Sequence, residues 1–403
     1  MQPFVIEFQN DGWPPLRIII LHNYYQQAGG EDAVVGNEAM MLRNAGHDVE
    51  MVTVSNGDIN GIGDKLRTAF CVAHSSARYA WMKALLSRFR PDIVHVHNFF
   101  PLLTPAVHQA AHEMGVPVVQ TLHNFRLFCA KATFERDGRI CELCLHGSRV
   151  NAVRFGCYRN SRIGSLALVA MQRRAIDRGL LIGNVDLFIA LTKFAQKKYY
   201  EGGIPLEKIA LKPNFVDSPS VTLPEIGKGA LYVGRISEEK GVGVLIEAWK
   251  SLPDIPLTIA GDGPLRRELE ARAPANVNFL GRIDADHVAK EMRNAAILVI
   301  PSIWYEGFPM TLVEAFSNGL PVVASRIGSL TEIVEHGVTG AHCLPGNAGS
   351  LAETVRQMFE RPDALAAMRR SVRRVFEEQY SKEQNLRMIE DIYKTAIKRS
   401  RAL

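Results

Sequence analysis

No apolar run in the 403-residue chain reaches the roughly 18–20 positions that a membrane span needs. The segment Met1 to Arg17 carries Glu7, Asp11 and a Pro14-Pro15 pair and has no long apolar core. It does not read as a secretory signal, and a cytoplasmic location is the default expectation. Net charge is small: 47 Lys+Arg against 42 Asp+Glu leave +5. Basic and aromatic residues seldom interleave, so a nucleic-acid partner is not expected. There are six cysteines and no short-period repeat. What remains is 47% hydrophobic, 22% charged and 8% aromatic, which excludes disordered, collagen-like and heptad chains. The length suggests two domains.

The small net charge is unevenly placed. Residues 1–216 hold 24 Lys+Arg against 18 Asp+Glu, and residues 217–403 hold 23 against 24. Within 149–178 stand seven arginines and one acid, Asp177. Such a stretch is either a solvated face or an attractor for anionic lipid or a phosphorylated substrate.

Both halves alternate short β-branched runs with helical patterns, the mark of parallel sheets covered by helices. The first-half runs are 17–22, 49–54, 93–97, 116–123 and 187–191. Those of the second half are 231–234, 257–260, 277–280, 297–301 and 322–325. Many end in Gly, His, Asn or Ser just before a helix, at the carboxyl edge where open α/β sheets bind ligands. A Pro/Ser/Gly-rich stretch at 215–228 reads as a linker. It divides a first domain, 1–214, from a second, 229–380, with an amphipathic tail helix over 381–403 expected to return to the first domain.

In the second half, Glu306 precedes a helix and Glu314 lies two turns into it. A helix N-terminus offers free N–H groups to a phosphate or sugar oxygen. Arg235 ends one strand and Lys240 follows five residues on, a planar fork and a point charge suited to a diphosphate. Alone, each feature is equally a dipole partner or a surface ion pair. Together, Glu-x7-Glu (Glu306, Glu314), Gly-Arg-x4-Lys-Gly (234–241), Gly-Asp-Gly-Pro (261–264) and Gly-x-Pro-Val-Val-Ala (319–324) are specific. The chain resembles the retaining glycosyltransferases of family 4 (group 1), which hold sucrose synthases and many bacterial polysaccharide transferases.

That resemblance implies the GT-B fold: two Rossmann-like α/β domains with parallel sheets facing across a cleft. It implies that Glu314 binds the nucleotide ribose and Glu306 a hydroxyl of the donor sugar. Arg235 and Lys240 would neutralise the departing diphosphate, and Gly234 would belong to the same loop. Backbone amides of Phe308, Met310 and Thr311 would line sugar and phosphate, and the Arg282 backbone would meet the base. Pro309 departs from the family's frequent glycine and has no N–H to offer. His123 matches the family's strand-terminal histidine that contacts the donor sugar near the reaction centre. The implied reaction keeps the anomeric configuration by front-face attack, with no carboxylate nucleophile and no cofactor. No Asp-x-Asp stands at a suitable strand end.

In the first half, Gly29-Gly30 opens a helix and either permits close approach of a phosphate or acceptor or forms a flexible turn. Glu31, Asp32 and Glu38 follow, facing or near the cleft. His95 and His97 end a strand, and His108 and His112 share a helix without an intervening Glu, so these four read as structural. Cys129, Cys141, Cys144 and Cys157 form an insert over 129–157 whose Cys-x2-Cys core suits a structural zinc, or else four unliganded thiols. Cys71 and Cys343 read as buried and inert. The Arg-rich stretch, with Leu166, Leu168, Val169 and Met171 among the charges, suggests peripheral docking on an anionic membrane surface. The full expectation is hexose transfer from a UDP- or GDP-linked sugar to a lipid-linked saccharide in exopolysaccharide, capsule or lipopolysaccharide assembly. The alternatives are an epimerase or phosphorylase on the same fold, and a zinc-containing binding protein.

Overall fold

The structure is a computed structural model that describes residues 14–26, 29–217 and 227–401. Most of the segment read as a signal-free start, and the centre of the linker, lie outside the described residues. Strands β1 (Arg17–Tyr24), β2 (Asp48–Ser55), β3 (Ile93–Asn98) and β4 (Val118–Leu122) begin the first sheet. A hairpin of β5 (Glu135–Arg136) and β6 (Arg139–Ile140) interrupts it, and β7 (Leu187–Ala190) and β8 (Ile209–Leu211) complete it. The second sheet holds β9 (Ala230–Val233), β10 (Leu257–Ala260), β11 (Val277–Gly281), β12 (Ile297–Ile300), β13 (Val322–Ser325) and β14 (Gly340–Cys343).

The two six-stranded sheets run β2-β1-β3-β4-β7-β8 and β11-β10-β9-β12-β13-β14, every pair parallel. Strand order therefore reverses between β1 and β3, and again between β9 and β12. Ligand crevices open at such points, beyond the carboxyl ends of the strands. Helices cover both faces, so central strands such as β3 are buried along their whole length.

Several boundaries move from the sequence reading. The run at 116–123 shortens to Val118–Leu122, because Pro117 has no N–H for the ladder. The sequence reading missed β8 at three residues, and β14, whose Gly-Ala-His-Cys has no β-branched side chain. It also missed the β5–β6 hairpin, although Asp137-Gly138 is a strong turn signal and both residues take positive φ, 54° and 72°.

The tail divides between the two sheets. In the helix Pro362–Gln379, Val372 and Phe376 join the core that holds Leu231 and Phe316. In the next helix, Lys382–Arg401, Ile389, Ile392, Tyr393 and Ala396 join Ile18 and Ile20 of β1. The chain thus passes between its halves twice. At those passages Lys382 Nζ meets Asp217 Oδ2 at 3.1 Å.

Candidate functional site

The carboxyl ends of β9 and β12 bring the second-half motifs together through backbone contact. A Cβ on Gly261 would lie 1.9 Å from the Gly234 oxygen, and one on Gly263 would lie 2.3 Å from the Ile236 oxygen. The glycines of Gly-Asp-Gly-Pro are therefore fixed by the seating of one loop on the next. Gly241, at φ 71°, lets the chain pass so close to Pro301 that a Cβ would stand 1.9 Å from its oxygen. That approach carries Lys240 to Glu306.

Glu306 is 5% exposed and fully engaged. Lys240 Nζ donates to Oε1 and Oε2 at 2.8 and 2.9 Å, Ser302 Oγ to Oε1 at 2.6 Å, and Trp304 Nε1 to Oε1 at 3.1 Å. Burial alone would raise this carboxyl, but Lys240 and the two neutral donors outweigh it and hold it below its ordinary range. Sequence reasoning found the two charged partners and missed Ser302 and Trp304. The other member of the pair is arranged differently. Glu314, half-buried on the helix Met310–Ser317, has no side-chain partner among the described residues, and burial raises its pKa. One glutamate is locked and the other is open to a ligand.

Around them lie unsatisfied donors. The guanidinium of Arg235 is exposed without an ion-pair partner among the described residues, and Arg282 is exposed just past β11. The helix Met310–Ser317 starts from Pro309 with no side-chain cap. The amides of Phe308, Met310 and Thr311 have no acceptor among the described residues, so the helix end keeps its partial positive charge. Asp284, in the Asp-Ala-Asp after β11, accepts from the His287 N–H at 2.9 Å and is a helix cap.

The first half meets this surface closely. A Cβ on Gly307 would stand 2.5 Å from the His123 oxygen, and one on Gly30 would stand 3.3 Å from Met310 Cγ. Gly29 precedes the helix Gly30–Asn44, and Asp32 Oδ2 accepts from its N–H at 3.1 Å. Asp32 Oδ1 lies 2.8 Å from His22 Nε2, so this acid orders the turn. Glu31, half-buried with its Oε1 covered, lies beside Tyr25, Asn124 and Arg126, and desolvation, the largest cause, lifts its pKa to about 8.

Behind His123 runs a buried relay; the sequence reading took His95 and His97 as structural, placed Glu38 facing or near the cleft, and did not single out Lys212. Lys212 Nζ and Glu38 Oε2 pair at 2.7 Å with both side chains 1% exposed. His97 Nε2 lies 3.1 Å from Glu38 Oε1, and His97 Nδ1 lies 2.9 Å from His123 Nε2. Burial lowers His97 to a pKa of about 3 and His123 well below its ordinary value, so both rings are neutral. The His97 Nε2–Glu38 Oε1 approach is not aligned as a hydrogen bond, and between His97 Nδ1 and His123 Nε2 one ring nitrogen donates to the other. His95 lies 3.1 Å from the same Glu38 oxygen and reaches Thr121 and Tyr393 at 2.7 and 2.8 Å. His108 bonds Gln120 at 2.8 Å within the core.

Cys129, Cys141, Cys144 and Cys157 are all free thiols near one another, and Cys129 is buried in the core. No three of their Sγ atoms come within 4.8 Å of one another, and they do not form a ready tetrahedral ligand set. Burial raises Cys144 to about 11 and raises Cys157. Cys71 is half-exposed rather than buried. Among the described residues the tight ligand clusters are Glu38–His95–His97 and Glu142–His146–Glu201. The first already holds the ammonium of Lys212. The membrane reading of the Arg-rich stretch is corrected in detail. Leu168, Val169 and Met171 are at most 3% exposed and belong to the core; Leu166 and Ile163 face outward at 58% and 75%. Arg149 is paired to Asp177 at 2.8 Å. Among the described residues no helix is long and apolar enough to cross a membrane.

Known proteins match this arrangement. The model for glycosyl transferases group 1 matches residues 217–375, and that for Glycosyltransferase Family 4 matches 28–218. An uncharacterized glycosyltransferase of Methanocaldococcus jannaschii is 31% identical over 335 residues, 77% of this chain and 80% of that protein. Glycogen synthase of Mycobacterium tuberculosis is 29% identical over 299 residues, 71% of this chain; the chain spans 64% of that enzyme, less than two thirds. Among solved structures, Anabaena HepE in complex with UDP aligns with a TM-score of 0.68 at 19% identity, covering 94% of this chain and 100% of that one. That likeness is one of fold.

Proposed function

The chain belongs to the group 1, family 4 glycosyltransferases of GT-B fold, and from that premise we propose that it moves a hexose from a nucleotide-diphosphate sugar to a saccharide hydroxyl with retention at the anomeric carbon. One observation carries the reading. Unpaired Arg235, the free amides at 310 and 311 and the Lys240–Glu306 pair converge at the carboxyl ends of β9 and β12. A diphosphate gathers negative charge as it leaves, and fixed donors aimed at that charge stabilise the transition state more than the ground state. Lys240 gives two of its three donors to Glu306, so one N–H remains for phosphate. Arg235 supplies a charge that no acid among the described residues offsets. Glu314, whose carboxylate is free, takes the ribose hydroxyls, and Gly234 and Arg282 flank the nucleotide.

His123 presents a neutral ring to a sugar hydroxyl. Glu306, locked in its anionic state, accepts from a second one. Gly29 and Gly30 give the acceptor close access from the opposite half. HepE was solved with UDP, and a uridine donor is the first choice here over guanosine. The acceptor is a lipid-linked saccharide in polysaccharide assembly, met at an anionic membrane surface.

Thermal unfolding with a panel of UDP- and GDP-sugars tests the donor, because a ligand stabilises by mass action. One nucleotide sugar should raise Tm in the wild type, with the rise diminished in Arg235→Ala and in Glu306→Gln. NMR of the product should give the donor's anomeric configuration. Conversion of the donor sugar to its epimer with no acceptor added overturns the transferase reading.

A further inference from the structure

An apolar groove of about 300 Å³ opens on the first domain next to the site, between the helices Ile62–Cys71 and Arg162–Gln172. Its inner end is Phe100, which also lines the pocket formed by His97, His123 and Arg126. Its outer lips are Ile62, Leu66 and Ile163, exposed by 78%, 52% and 75%. Large apolar side chains this exposed on two facing helices are uncommon on a monomer surface without a partner.

The charges along the groove have one sign. Its lining contains Lys65 and Arg159 and no acid. At the inner end Arg126 lies over the Phe100 ring at 4.8 Å; its Nε is buried with no acceptor among the described residues, and the acid beside it is Glu31, whose carboxyl burial raises to about 8. Arg159 reaches only a neutral oxygen, Gln26 Oε1, at 3.4 Å. The ligand that satisfies such a channel is anionic where the cations lie and apolar along the rest.

We infer that the groove holds the apolar tail of a single-chain lipid phosphate or diphosphate. Arg126 and Arg159 take the anionic head, so the attached saccharide enters the cleft beside His123. The inference rests on the proposed transferase reading and names the acceptor's chemical class. It also gives the exposed residues Ile62, Leu66 and Ile163 a common role that the Arg-rich stretch alone did not suggest.

Farnesyl diphosphate is the probe, titrated calorimetrically into the full chain with saturating UDP to occupy the donor side. The triple variant Ile62→Asn/Leu66→Gln/Ile163→Asn changes only exposed side chains and should keep the wild-type Tm rise with UDP. It should bind farnesyl diphosphate at least tenfold more weakly, while inorganic diphosphate binds both proteins equally and poorly. Arg159→Gln should weaken farnesyl diphosphate and leave farnesol unchanged. Undiminished farnesyl diphosphate binding by the triple variant overturns the inference. So does a variant that loses adhesion to phosphatidylglycerol vesicles but keeps farnesyl diphosphate, which would make this a membrane face. Failure of the wild type to bind any nucleotide is a separate result: it removes the transferase reading and leaves the groove measurement interpretable.

Discussion

At the scale of single residues, the site is decided by which charges are paired. Glu306 and Glu314 are the same amino acid on one motif, yet their environments pull apart. Glu306 is held ionised by Lys240, while Glu314 is pushed toward protonation by burial with no partner. A raised carboxyl loses its charge at a higher pH than free glutamate, and with it part of its strength as an acceptor for hydroxyls. Donor affinity should therefore weaken as pH falls from 7.5 toward 5, and Glu314→Gln should bind less tightly but with a flat pH profile. Fluorescence titration with the donor at several pH values checks this. The Lys212–Glu38 pair makes a second prediction. Removing one partner of a buried pair strands the other charge and costs about 3–5 kcal/mol. Lys212→Met should lower urea stability by that amount, and adding Glu38→Leu should restore part of it.

Single-residue chemistry of this kind was only partly legible in the sequence. Arg235 with Lys240, and Glu306 with Glu314, stand out because each pair has a local spacing on its own strand–helix unit. Lys212 and Glu38 are 174 positions apart, and nothing in the order of residues announces that they meet.

At the scale of elements, the loops at strand ends depend on backbone approach more than on side chains. Gly261 has φ 150° and a would-be Cβ 1.9 Å from the Gly234 oxygen, so Gly261→Ala must separate the two loops that carry Arg235 and Asp262. The expected loss is about 1–3 kcal/mol, together with weaker donor binding. Gly36, inside the helix Gly30–Asn44, has open space around it, and Gly36→Ala should stabilise by about 0.5–1 kcal/mol. Paired thermal melts of the two variants give opposite signs if the reading is right. Element type was legible wherever β-branched runs were long. It was not for β14 or the β5–β6 hairpin, where pairing with a neighbour rather than intrinsic propensity makes the strand.

At the scale of the molecule, the halves are joined by polar contacts as well as by the chain. Glu332 of the second half accepts from the amides of Lys193 and Phe194 at 2.8 Å each, capping a first-half helix, and Thr192 Oγ1 meets Ser329 Oγ at 3.1 Å. The first half also concentrates buried neutral histidines, which sets the acid behaviour of the whole. His22, His97, His108 and His123 all have folded pKa values lowered chiefly by burial, to about 3 for His97 and about 4 for His108. Below about pH 6.5 the unfolded chain takes up protons that the native one refuses, so this stability is lost as pH falls. Glu38, lowered by Lys212 and its histidines despite burial, adds a loss below its ordinary range. Glu31 and Glu314 act oppositely, being protonated more readily when folded. The four histidines outnumber the two carboxyls, so near pH 5.5 unfolding takes up protons on balance and stability falls with pH there. Urea midpoints at pH 7 and pH 5.5 should show a clear drop; an unchanged midpoint would mean the histidines are not neutral in the fold.

The sequence by itself determined the number of domains, their parallel α/β character and the motifs of the nucleotide-facing half, because periodicity and short-range spacing are properties of contiguous residues. Its absence of a long apolar run agrees with helices that are all too short or too polar to span a bilayer among the described residues. Tertiary structure alone decided which glutamate is locked and which is open, and that His97 stands between His123 and the buried Lys212–Glu38 pair. It also joined Ile62 to Ile163 across one groove. Each of these depends on distances between residues far apart in the chain, and only packing in three dimensions fixes such distances.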